Sequence, residues 1–219
     1  PELLTKPYEL SHAYEKILNI WNKIADYPII QLLLKFNENF KLFLLPYLYR
    51  FEVNAITEER IKPIVECFLR LFAIMEMGEV GYSASIFKTF LFNENFNLVN
   101  PNYADESIID DFDRHILNNF KEDDLIVDLK DYDKNILVFL NEYLYAQNKG
   151  IPFRFENNVN VEHIMPASGH NVDAIRIDAG IGTKEEFDNL VNKLGNKILL
   201  EENINKSISN DWFKTKKGT

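Results

Sequence analysis

Six of the eight glycines stand at residue 150 or beyond, and only Gly78 and Gly81 come earlier. Glycine opens left-handed backbone and weakens helix interiors, so this distribution divides what the chain can become. Up to Gly150 the apolar residues repeat at helical spacing. Ser11, helped by Glu15, is placed to cap a helix over 13–25 whose Ile17, Ile20, Trp21 and Ile24 share a face. Pro28 opens a second apolar helix, Asn37 to Asn39 break it, and 40–49 form another with Pro46 inside. Thr57 with Glu58 and Glu59 starts a long helix to Met77, with Ile61, Ile64, Val65, Phe68, Leu69 and Phe72 in one stripe. A short helix is expected over 83–92, an acid-led one over 105–120, and one over 133–147 that Gly150 stops.

After Gly150 the pattern changes. Residues 151–155 alternate as a short strand, and 159–164 form a β-prone run closed by Pro166. The stretch 167–183 mixes Ser, His, Asn, Asp and three glycines with no period and is read as loop. Thr183 caps a helix over 184–194, Gly195 ends it, 196–200 is a strand, and a last helix runs from 201 to about 216, entered through Asn203 or Asn205. The expected fold is therefore mainly α: a helical domain over 1–150, then a small α+β domain over 151–219.

The 27 Phe and Tyr rings lie mostly before residue 150 and read as core, not as a stacking surface. Cys67 has no partner cysteine and reads as a small buried hydrophobe in a reducing compartment. No long uncharged apolar run and no signal peptide is visible, so a soluble, cytoplasmic protein with no membrane partner is expected. The chain begins at Pro1, not Met, which points to a piece of something longer. Its net charge is −10, yet residues 151–219 carry nine Lys/Arg against ten Asp/Glu, a net of −1, so −9 lies in residues 1–150. An acidic body argues against general nucleic-acid affinity, which depends on neutralising phosphates; the near-neutral end does not exclude a local nucleic-acid site.

The chemistry concentrates in Glu162-His163-Ile164-Met165-Pro166 and in Gly195-Asn196-Lys197, followed by Asn205. Phosphodiester hydrolysis needs a base for water, a cation for the developing charge and something to orient the base. His163 suits the base, since an imidazole with a pKa of about 6.5 is mostly neutral near pH 7. Glu162 and Asn205 offer hard oxygens of the kind Mg²⁺ or Mn²⁺ takes, and Asn196 can hold the base in place. Neighbours in an ideal strand point to opposite faces, so Glu162 and His163 meet one phosphate only if the backbone bends at Met165-Pro166. Each part also has a plainer reading: Gly195-Asn196 as a helix stop and turn, Asn205 or Asn203 as a helix cap. His12 and His115 read as structural, His170 as a loop surface residue, and Asp110, Asp111 and Asp113 as a solvated helix face.

Together these residues resemble an HNH nuclease of the His-Me finger (ββα-metal) superfamily. More narrowly, residues 158–217 look like the C-terminal nuclease domain of GmrSD-type, modification-dependent restriction enzymes. The resemblance implies a metal-dependent DNA endonuclease acting in restriction and antiviral defence. It makes His163 the general base, Asn196 the residue that orients it, and Glu162 and Asn205 the ligands of Mg²⁺ or Mn²⁺. Lys197, Lys206, Lys216 and Lys217 become contacts to DNA, and a ParB-like nucleotidase domain is expected upstream of this chain. Glu162 departs from the more common Asp, and Ala167 from a frequent Gln. A non-catalytic interaction module with a degenerate finger and an RNA-cleaving nuclease are the alternatives.

Overall fold

The computed structural model describes residues 5–155 and 158–204. The chain is mainly helical with one small antiparallel sheet, as expected, and it divides into two compact units at Leu125 and Ile126.

The first unit carries α1 (Pro7–Ile24), α2 (Pro28–Phe36), α3 (Lys41–Tyr49), α4 (Glu58–Met77), α5 (Ser85–Asn97) and α6 (Asp105–Asn119). α1 starts at Pro7, not near Ser11, because proline at the first helical position needs no N–H and already has a helical φ. Asn37 ends α2 in extended backbone, and its Oδ1 accepts from Asn39 N at 2.9 Å, which turns the chain into α3. Thr57 caps α4 by accepting from Arg60 N at 3.3 Å. Every residue of the expected α4 stripe is buried. Phe68 is central to this core: it meets Phe43, Phe72 and Phe112 at centroid separations of 6.1, 5.8 and 5.0 Å. Each such ring is worth roughly 1.5–3 kcal/mol of burial, so α3, α4 and α6 are held by aromatic packing.

The second unit contains α8 (Ile136–Lys149), β1 (Val159–His163), α9 (Val172–Asp178), α10 (Lys184–Val191) and β2 (Lys197–Glu201); α7 (Glu122–Asp131) spans the division. The glycine distribution places the change at Gly150, whereas the compact units part before α8. The reason is packing: α8 lies against β2. Gly150 does end α8, at φ +63°.

Two sequence expectations fail here. Residues 151–155 form no strand; Phe153 packs edge-on to Tyr143 at 5.2 Å, and Phe155 stacks on Phe139 at 6.1 Å. The stretch 167–183 is not all loop, because α9 forms within it and buries Ile175 against Phe187 and Val191 of α10. The cap of α10 is a full capping box: Glu186 N donates to Thr183 Oγ1 at 3.2 Å, and Thr183 N donates to Glu186 Oε2 at 3.1 Å. No described helix is long and apolar enough to cross a membrane.

Candidate functional site

β1 and β2 pair antiparallel with Val159 opposite Glu201, Val161 opposite Leu199, Glu162 opposite Ile198 and His163 opposite Lys197. The hairpin is closed at both ends. Glu202 N donates to Asn158 O at 2.9 Å, and Ile164 N donates to Asn196 O at 2.8 Å. Side-chain alternation puts Val159, Val161 and His163 on one face with Lys197, Leu199 and Glu201, and Glu162 on the other with Ile198. His163 is the last residue of its strand, and the chain bends at Ile164 and Met165, after both residues, so Glu162 and His163 keep the opposite faces of the strand. Both residues are half-buried, and Nε2 of His163 is shielded from solvent.

The bend is held by Asn196. Its Oδ1 accepts from Met165 N at 2.8 Å while its Nδ2 donates to Met165 O at 2.9 Å, a reciprocal amide clamp on the second residue after His163. The other Nδ2 hydrogen goes to Val191 O at 2.8 Å, at the end of α10. Both amide hydrogens are thus committed to main-chain carbonyls. Whatever Asn196 does for the imidazole runs through the backbone or through its oxygen. Behind the clamp Pro166 is buried, and Met165, Ala167, Val172 and Ile181 pack on the Ile175–Phe187–Val191 cluster. The turn after the histidine therefore rests on its own small apolar base.

Lys197 departs from the expected DNA contact. It is 4% exposed, and its Nζ donates to the main-chain oxygens of Asp133 and, at 3.2 Å, Lys134, just ahead of α8. Burial pushes its ammonium below the usual lysine range, with the Asp133 charge opposing that. An ammonium spent on two carbonyls in a closed site is a strut, not a phosphate ligand. Nearby, Lys193 pairs with Asp131 at 2.8 Å and holds that exposed carboxyl below its ordinary range, first by hydrogen bonding and then by charge. The carbonyls of Val191, Asp133 and Lys134 could not be found from side-chain patterns, since main-chain acceptors leave no mark in sequence.

Asn205, Lys206, Lys216 and Lys217 lie outside the described residues. Residues 202–204, which follow β2 directly, are helical. Among the described residues no three His, Cys, Asp or Glu side chains stand together as a ready metal cluster. Glu162, next to the bend, is one carboxylate of the kind Mg²⁺ takes together with several waters.

Fold and site together define a mainly helical protein with Glu162, His163 and Asn196 at one end of a small two-stranded sheet. Residues 110–219 match the family described as GmrSD restriction endonucleases, C-terminal domain, and the chain belongs to that family. Membership gives the coarse function, a nuclease domain of a restriction system, and implies DNA as the substrate. The match is longer than the 158–217 resemblance and takes in α7 and α8, the helix that the hairpin packs on. No curated protein and no solved structure matches the chain.

Proposed function

We propose that the chain is an HNH-type, metal-dependent endonuclease that hydrolyses DNA phosphodiester bonds in restriction of foreign or modified DNA. What supports this most is the braced bend: a histidine at a strand end beside a carboxylate, with the next turn clamped by an asparagine just ahead of the facing strand. His163 takes the proton from the attacking water. Asn196 is a positioning residue; by fixing Met165 it fixes the direction in which the strand end presents the imidazole. Glu162, with Asn205, holds Mg²⁺ or Mn²⁺, which when bound stabilises negative charge on the phosphate and the leaving oxygen. Lys206, Lys216 and Lys217 supply cations to the DNA backbone, which the acidic body does not.

The test is nicking of supercoiled plasmid by the full chain with Mg²⁺ or Mn²⁺. His163→Ala should lower the rate roughly 10²- to 10⁴-fold, the usual worth of a placed general base. Equal rates for wild type and His163→Ala would overturn the assignment. Cleavage of structured RNA in preference to duplex DNA would move the substrate.

A further inference from the structure

The second unit holds a cavity that this chemistry leaves unused. It measures about 300 Å³ and lies between α8 and the segment 151–155, with Val159 and Leu199 of the hairpin among its walls. By strand parity it opens on the same hairpin face as His163. Four residues of strand at ~3.3 Å each put the two roughly 13 Å apart along β1.

Its walls are aromatic. Phe155 stacks on Phe139 at 6.1 Å and meets Phe153 at 6.4 Å, while Tyr145 stands at the rim, 55% exposed. Three charged groups converge on it: Glu142, half-buried, and the exposed Glu201 and Arg154. Partial burial pushes the Glu142 carboxyl above its ordinary range, so it is short of water and gains from a hydrogen bond. Apolar walls with a few converging polar groups are how a small-ligand site is built, and this volume is at the low end for one. It suits a single planar ring. Two carboxylates against one guanidinium repel a phosphate inside the cavity but welcome an amino donor, and carboxylates accept from the exocyclic amine of cytosine.

We propose that the cavity takes one unstacked nucleobase of the DNA strand, lying on Tyr145 with the exocyclic amine of cytosine or adenine donating to Glu142. Arg154, exposed at the edge, faces the adjoining phosphate. This rests on the reading that DNA is the substrate. A base in duplex must first leave its stack, so single-stranded DNA is the better ligand.

The test measures binding of short oligodeoxycytidylate and oligothymidylate to the full chain by fluorescence anisotropy, with divalent metal chelated so that no cutting is needed. Wild type should prefer the cytidylate. Tyr145→Ala should weaken that binding roughly 5- to 150-fold, the range a base–aromatic contact is worth. Tyr145→Phe should restore it, and Glu142→Leu, which leaves no acceptor for the amine, should erase the preference over thymidylate. His163→Ala should keep the preference while losing plasmid nicking. Should the chain nick plasmid but bind both oligonucleotides alike, with Tyr145→Ala unchanged, the base site is refuted and the nuclease stands. Should it prefer cytidylate, respond to both cavity substitutions and yet cut nothing, the nuclease reading is refuted and the base site stands.

Discussion

Replacing Asn196 with alanine removes three hydrogen bonds at once: those with Met165 N, Met165 O and Val191 O at 2.8, 2.9 and 2.8 Å. At a net 0.5–1.5 kcal/mol each, lowered because the site is only half-buried, the loss should be about 2–3 kcal/mol. That is enough to open the bend locally without unfolding the helical unit, which shares none of these contacts. Two measurements on one variant separate the consequences. Hydrogen exchange should show the amides of Ile164 and Met165 losing protection while amides of α4 keep theirs. Single-turnover DNA cleavage should fall by an order of magnitude or more with the affinity for DNA little changed, because the asparagine touches backbone and the imidazole loses its bearing. Asn196→Asp should do no better than alanine, since it keeps the acceptor for Met165 N but sets a carboxylate against two carbonyl oxygens. If Met165 stays protected and cleavage stays within about twofold of wild type, the clamp is not what places His163 and the reasoning is wrong.

Lys197→Met keeps the aliphatic volume but strips the carbonyls of Asp133 and Lys134 of their donor; it should cost about 1–3 kcal/mol in urea titration. The salt dependence of DNA binding should not change, and a shallower slope would return Lys197 to the DNA contacts. In the first unit His115 stacks on Phe90 at 4.0 Å, and burial holds its pKa below the usual histidine range. The unfolded chain therefore binds this proton more readily than the folded one. Stability should be full above about pH 6.5 and be lost as pH falls from there toward the folded value, a slope that His115→Phe should flatten. An unchanged slope would mean that His115 is not the group responsible.

The α4 stripe, the Thr183 cap and the strand at 159–163 were all legible, because each is a local pattern whose physics acts within a few residues. That Asn196 grips the main chain of Met165 and Val191 needed coordinates. α7 and α9 were missed for a common reason. α7 buries no residue along its length, and α9 buries only Ile175, so neither shows an apolar stripe. Lys197 was misread because a lysine next to a site residue looks the same in sequence whether it faces solvent or a buried pair of carbonyls.

Asn196 and Lys197 are consecutive, yet one ties the hairpin to the end of α10 and the other to the chain just ahead of α8. A single peptide thus fastens the strand at both flanks, and the smallest transplantable piece cannot begin at Gly150. A graft of 151–219 onto another scaffold would arrive with the Lys197 ammonium deprived of both its carbonyl partners. One that starts ahead of α7, as the family match does, would bring its own anchorage.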